Sequence, residues 1–207
     1  MSSIYMGIIV PYSVVFPLFI AVYKNKFWNV QVKIIFTYLS LSAIFNVIAK
    51  LTAHSNNMPY LHLYTILEFI VIMLFFRSLE KQKTNKFFFS LLILLFVITA
   101  IGYIFLEDSL YKFNYVPRFI SSICITILCI YFLFKSINDI QYSKFLLLIL
   151  TGFLLYYSTC SALFGLSNVL LKAPPNIATM IWNIHATFNL VMYLLFSVGL
   201  FKLKKDE

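Results

Sequence analysis

Seven long apolar stretches, separated by short polar segments, constrain this chain more than any other feature of its sequence. Only the third stretch contains a charged residue, Glu68. A helix of roughly 20 mainly apolar residues crosses the hydrocarbon core of a bilayer. A soluble protein of 207 residues has too little interior to bury seven such segments. The pattern therefore predicts an all-α polytopic membrane protein with seven transmembrane helices.

The helix boundaries follow from where each apolar stretch meets polar residues. The predicted helices cover about 4–23, 32–51, 58–77, 87–106, 118–137, 145–170 and 176–201. Membrane strands would instead show alternating polarity, which runs such as Phe87–Phe96 lack. Because the connections are short, we expect antiparallel neighbouring helices in a single domain over residues 1–207. Pro11 and Pro17 predict a kink in the first helix.

The composition excludes several other classes of protein. Apolar residues make up 62% of the chain and charged residues 11%, which rules out intrinsic disorder. The net charge of +9 comes from basic residues scattered between the apolar stretches. The expected partner is therefore the lipid bilayer with its anionic headgroups, and not a nucleic acid. The cysteines lie inside apolar stretches without disulfide or metal-binding spacing.

The distribution of lysine and arginine predicts the direction of the helices. One side receives twelve of the 16 basic residues, namely Lys24, Lys26, Lys33, Arg77, Lys81, Lys83, Lys86, Lys135, Lys144, Lys202, Lys204 and Lys205. The other side receives four, namely Lys50, Lys112, Arg118 and Lys172. Because cytoplasmic loops are enriched in Lys and Arg, we expect the N-terminus outside and the C-terminus in the cytoplasm.

Polar residues at membrane depth provide the hypothesis for a functional site. Glu68 and His185 each lie about ten residues, or some 15 Å, from the outer end of their helix, so they are expected to pair. Ionisable groups at this depth are usually functional because an unpaired buried charge is costly. The candidate ligand-binding or proton site comprises Glu68, His185, Tyr64, Asn189, Asn46 and Tyr157. The alternative is that these groups only join helices by hydrogen bonds.

Several known chemistries do not fit these residues. A retinal pigment needs a Schiff-base lysine in the last helix, and none occurs between Lys172 and Lys202. Bis-histidine haem ligation needs a second deep histidine, and a zinc hydrolase needs more ligands than Glu68 and His185. No Gly-x-Ser-x-Gly motif is present. We therefore predict no cofactor, no metal and no catalytic residue, and an enzymatic activity has no support from the sequence.

Four short segments of the predicted helices are LYTILEF (63–69), LTGFLLYYS (150–158), WNIH (182–185) and YLLFSVGL (193–200). Together they resemble a family of small, uncharacterised bacterial seven-helix integral membrane proteins. A Tyr-Thr-x-x-Glu pattern in that family is similar to Tyr64, Thr65 and Glu68. Genes of this kind look like neighbours of sensor kinases. The resemblance implies a multi-pass protein of the bacterial cytoplasmic membrane with an accessory role in signalling.

Three classes of function agree with these observations. The first is a membrane sensor or signalling accessory protein, which recognises a small ligand or a partner membrane protein through the intramembrane polar cluster. The second is a small solute or proton-coupled transporter. The third is an intramembrane lipid-modifying enzyme that uses Glu68 and His185 as acid and base. The sequence does not specify an oligomeric state.

The orientation can be tested by labelling cysteines placed in two loops. In a variant without the native cysteines, we expect Lys81→Cys to react with a membrane-impermeant maleimide only after permeabilisation. We expect Lys172→Cys to react in intact spheroplasts, because the count of basic residues places it outside. The reverse labelling pattern would overturn the orientation.

Overall fold

The computed structural model describes residues 4–52, 54–106, 109–138, 143–170 and 172–203. These residues form helices and connecting turns without strands, and seven of their helices are long and apolar enough to cross a membrane. They are α1 (Tyr5–Tyr23), α2 (Val30–Leu51), α3 (Met58–Leu79), α4 (Lys83–Leu106), α5 (Tyr115–Asn138), α6 (Lys144–Gly165) and α7 (Pro175–Phe201). The predicted all-α class with seven membrane-length helices is confirmed.

The bounds of several helices differ from the predicted ones. α2 begins at Val30 because the side chain of Asn29 caps it, accepting a hydrogen bond from the backbone N–H of Val32 at 2.9 Å. α4 begins at Lys83, a polar turn before the apolar stretch. α6 ends at Gly165, whereas the predicted helix continues to residue 170. A turn at Leu166 separates it from the single helical turn Ser167–Leu170.

α1 is interrupted near its middle. A π-helical turn, Tyr5–Ile9, precedes two α-helical pieces that are separated at Ser13 and Val14. Pro17 has no N–H to donate to the carbonyl of Ser13. That carbonyl accepts instead from the backbone N–H of Phe16 at 3.1 Å. The interruption therefore lies between the two prolines that predict a kink.

The helices group into two compact units. Unit 1 comprises Met1–Phe27 and Ser122–Glu207, and unit 2 comprises Trp28–Ser121. Unit 1 therefore contains α1, most of α5, α6 and α7, whereas unit 2 contains α2, α3, α4 and the first turns of α5. The helix α5 begins in unit 2 and continues into unit 1. The single domain expected over residues 1–207 stays a prediction.

Unit 1 is organised by the packing of α7 against α6 and α1. The ring of Phe196, which is fully buried, meets the ring of Phe153 edge to face at 5.0 Å. The hydroxyls of Tyr5 and Thr187 lie 2.8 Å apart at one end of α1. At the other end, Lys24 Nζ lies 5.3 Å from the ring centroid of Phe201. α1 and α7 are therefore parallel.

Unit 2 is organised around α3. The rings of Phe69 and Phe96 stack at 4.0 Å and join α3 to α4. The Gln31 side chain donates to the carbonyl of Ser78 at 3.5 Å, which joins the start of α2 to the end of α3. The two helices are therefore antiparallel. Much of α3 is buried in unit 2, including Glu68.

The close contact between α6 and α7 can be tested at Gly152. A Cβ atom added there would lie 2.8 Å from Cε1 of Phe196, a ring with no room to move because it is fully buried. We expect Gly152→Ala to lower the free energy of unfolding in mixed micelles by about 1–3 kcal/mol.

Gly102→Ala is the matched control for this substitution. An added Cβ at Gly102 meets nothing within 4 Å. Because alanine favours the helix, we expect this variant to be as stable as the wild type or more stable by about 0.5–1 kcal/mol. Equal stability of the two variants would contradict the packing described for Gly152.

Candidate functional site

The carboxylate of Glu68 is the centre of a buried polar network in unit 2. The Glu68 side chain is 2% exposed. Its Oε2 forms an ion pair with Nη1 of Arg118, and its Oε1 accepts a hydrogen bond from the hydroxyl of Tyr64 at 2.8 Å. Tyr64 lies one helical turn before Glu68 on α3, which brings the two side chains onto one face. The negative charge is therefore both neutralised and hydrogen-bonded.

The network joins three helices. The hydroxyl of Ser42 on α2 lies 3.2 Å from the hydroxyl of Tyr64 on α3. Arg118 belongs to the first turn of α5 and reaches Glu68 from there. A continuous series of polar contacts thus runs from Ser42 through Tyr64 and Glu68 to Arg118. We call these four residues the Glu68 network.

The guanidinium of Arg118 makes two kinds of contact, an ion pair with Glu68 and a cation–π contact with the ring of Tyr64. Its Cζ lies 5.3 Å from the ring centroid of Tyr64, while Nη1 binds Glu68. Its side chain is 11% exposed. A planar guanidinium can stack on an aromatic ring and pair with a carboxylate at the same time, which an ammonium group cannot do as well. Arginine is therefore the suitable cation at this position.

The segment before α5 is held against α3, and this positions Arg118. The side-chain amide of Asn114 donates to the carbonyl of Leu61 at 3.1 Å and to the hydroxyl of Thr65 at 2.7 Å. The backbone N–H of Arg118 donates to the carbonyl of Asn114 at 3.2 Å, which begins the helix. Asn114 therefore connects the start of α5 to the N-terminal half of α3, and its contact with Thr65 lies about one turn before Glu68.

His62 holds the same segment by a second contact. Its Nε2 lies 3.0 Å from the carbonyl oxygen of Ser109 and 3.2 Å from that of Lys112. Because both neighbours are acceptors, Nε2 carries the proton and donates to them. His62 and Asn114 together fix the connection that leads into α5.

A separate group of side chains surrounds His185 in unit 1. The imidazole stacks on the ring of Tyr156 at 5.2 Å between centroids, and it meets the rings of Trp182 at 5.9 Å and Phe164 at 6.3 Å. Its Nδ1 lies 3.9 Å from Sγ of Cys160 on α6. The imidazole is half-buried among aromatic rings and a thiol.

The structure divides the predicted site residues between the two units. Glu68 and Tyr64 are in direct contact in unit 2, which also contains Asn46. His185, Asn189 and Tyr157 belong to unit 1. Among the described residues, the side-chain oxygen of Asn189 is buried without a hydrogen-bond partner. Glu68 and His185 therefore fall in different units, and their pairing stays a prediction.

Sequence reasoning missed the role of Arg118. It counted this residue only among the four basic residues of the side predicted to face outwards. One signal could have found it, because Arg118 is one of only two arginines among the 16 basic residues. An arginine in the first turn of a membrane helix of a lysine-rich chain indicates a need for a flat, permanently charged group.

Comparison with known proteins assigns no function to these residues. No family model matches the chain, and neither the curated proteins nor the solved structures contain a match. In the part of the chain that the structure describes, no three His, Cys, Asp or Glu side chains form a group that could hold a metal ion. The described contacts of the Glu68 network are charge pairing and hydrogen bonding.

A double-mutant cycle tests whether Glu68 and Arg118 act as a pair. Removing one partner of a buried ion pair leaves the other charge without compensation, so we expect Arg118→Gln to cost about 3–5 kcal/mol of unfolding free energy. The double variant Glu68→Gln/Arg118→Gln should lose clearly less than the sum of the two single variants. Equilibrium unfolding in mixed micelles measures the free energy of unfolding of all three variants.

Lys172→Gln provides the control for removal of one positive charge. Lys172 is exposed and is predicted to lie on the same side of the membrane as Arg118. We expect Lys172→Gln to change the free energy of unfolding only slightly, and we expect this change to add to that of Glu68→Gln. Additive effects of Glu68→Gln and Arg118→Gln would show that the two side chains do not interact.

Proposed function

We propose that this protein is a sensor or signalling accessory protein of the bacterial cytoplasmic membrane, with its N-terminus outside. In this proposal, the Glu68 network is a latch, which means that its ion pair between Glu68 and Arg118 holds α3 and α5 together until a ligand or a partner membrane protein breaks it. One observation carries the proposal: a buried ion pair joins α3 to the start of α5 and is linked to α2.

A buried ion pair is suited to a switch because each charge can exchange its partner. An anionic ligand group could replace Glu68 at the guanidinium of Arg118, and a cationic or donor group could replace Arg118 at Glu68. Either exchange substitutes one strong contact for another, so the change in free energy between the two states is small. Moderate binding energy is then enough to shift the populations.

The helix α5 offers a route from the latch towards the cytoplasmic side. It runs without interruption from Tyr115 to Asn138, beginning in unit 2 and continuing into unit 1. Near its far end, Lys135 Nζ lies 5.7 Å from the ring centroid of Tyr131 and 5.5 Å from that of Phe132. A helix shift that begins at Arg118 would reach this end directly.

The output of such a sensor would pass through another membrane protein. The connections between the helices are short, so they offer little surface for a cytoplasmic partner. In this proposal, a change is transmitted through contact between transmembrane helices. The resemblance to proteins encoded beside sensor kinases supports the same kind of partner.

Transport is the second candidate function, and the interruption of α1 favours it. Discontinuous membrane helices expose backbone groups that can bind ions or solutes, and they are typical of secondary transporters. α1 has such a break at Ser13 and Val14. In this alternative, the Glu68 network would hold a coupling ion or proton.

Transcript levels in the native host can separate these functions. We expect deletion of the gene and the chromosomal double variant Glu68→Gln/Arg118→Gln to change the same set of transcripts. Thr99→Val is the matched control, because Thr99 is exposed on α4 and bonds only within its own helix, to the carbonyl of Leu95. This control should behave like the wild type, with all proteins quantified in membranes.

Flux measurements on the same variants complete the test. The sensor proposal predicts that proteoliposomes with the wild-type protein dissipate an imposed pH gradient no faster than empty vesicles. A gradient-dependent flux that the double variant lacks would replace the proposal with transport. A double variant with wild-type transcript levels and wild-type abundance would contradict the latch.

A further inference from the structure

A thiol and an imidazole meet in unit 1. Sγ of Cys160 on α6 lies 3.9 Å from Nδ1 of His185 on α7. Cys160 is fully buried. The rings of Tyr156, Trp182 and Phe164 lie against the imidazole of His185, which is half-buried. Such a pair combines a soft, buried sulfur donor with a nitrogen donor among aromatic rings.

We infer that Cys160 and His185 bind a soft monovalent metal ion, copper(I), between Sγ and Nδ1. Binding breaks the S–H bond of Cys160 and forms a sulfur–copper bond, and the proton leaves to the solvent. The second bond uses the lone pair of Nδ1, so the proton of the imidazole resides on Nε2. Copper stays in its +1 state and no electron is transferred.

The distance between the two donor atoms suits a bridging ion. Zinc, a first-row d¹⁰ ion like copper(I), binds thiolate sulfur at about 2.3 Å and imidazole nitrogen at about 2.0 Å, so a linear arrangement with these bond lengths would span about 4.3 Å. The observed 3.9 Å is a few tenths of an ångström shorter. A small side-chain rotation therefore allows two-coordinate binding, which copper(I) tolerates and zinc does not favour.

Charge balance selects a monovalent ion at this position. A thiolate and copper(I) together carry no net charge, so the occupied site is compatible with an apolar, aromatic environment. A divalent ion on the same two ligands would leave one uncompensated positive charge there. Among the described residues, no further His, Cys, Asp or Glu joins the pair to form a larger group of ligands.

Ligand softness points to the same ion. Thiolates select copper(I) and zinc among the common metals of cells. Zinc in proteins is almost always four-coordinate, and this pair supplies two donors. The inference does not depend on the function proposed for Glu68 and Arg118, because it concerns different residues in a different unit.

Copper(I) competition measures the binding directly. The full-length protein in detergent micelles is titrated without oxygen against the copper(I) complex of bathocuproine disulfonate, whose absorbance reports the copper that it retains. We expect the wild type to withdraw about one copper(I) per chain from the complex. We expect Cys160→Ser and His185→Leu each to lower the affinity for copper(I) more than about tenfold.

Cys129→Ser is the matched control. Cys129 lies on α5 and is fully buried like Cys160. If copper(I) bound to any buried thiol, Cys129→Ser and Cys160→Ser would therefore weaken copper(I) binding equally. We expect this variant to bind copper(I) like the wild type. A wild type that binds no more copper(I) than Cys160→Ser would reduce the pair to an ordinary thiol–imidazole hydrogen bond and overturn the inference.

X-ray absorption at the copper edge needs only the wild-type protein, so it does not depend on the folding of a variant. We expect one sulfur and one nitrogen as the two nearest neighbours of copper(I). A spectrum with sulfur ligands alone, or with nitrogen and oxygen ligands alone, would contradict binding between Cys160 and His185.

Discussion

A carboxylate that cannot reach water must find a positive partner, and this requirement organises unit 2. Glu68 lies ten residues after the start of α3 and is almost fully buried. Arg118 neutralises it, and Tyr64 satisfies a second lone pair. Because Arg118 belongs to the first turn of α5, the ion pair determines where that helix begins relative to α3. Asn114 and His62 fix the preceding connection in the register that the pair needs.

Unit 1 is held together by a different kind of contact. Its helices meet through aromatic rings and through one small residue, Gly152, that admits the ring of Phe196. The buried polar side chains that the structure describes in this unit are uncharged serines, and the buried thiol of Cys160 lies beside His185. The chain therefore separates a strongly charged network from a soft, aromatic one, and the proposed sensing and metal-binding roles follow that division.

The sequence is sufficient to predict the helices, because each must supply enough apolar residues to cross the bilayer. It is less informative where polar residues cap or extend a helix, as Asn29 does for α2. It singled out Glu68 and Tyr64 for the site, since helical periodicity places them on one face. It did not find Arg118, because residues 50 positions apart are related only by tertiary packing. Interfacial and buried cations look alike in a hydropathy pattern.

The central claim is that Glu68 is ionised and bound to Arg118 within the membrane. Solid-state NMR on the protein in lipid bilayers measures this directly, through the dipolar coupling between the ¹³C-labelled carboxyl of Glu68 and the ¹⁵N-labelled guanidinium of Arg118. We predict a strong coupling that corresponds to nitrogen–oxygen contact within about 4 Å, together with the chemical shift of an ionised carboxylate. A carboxyl with the shift of the protonated acid and no measurable coupling to Arg118 would contradict it.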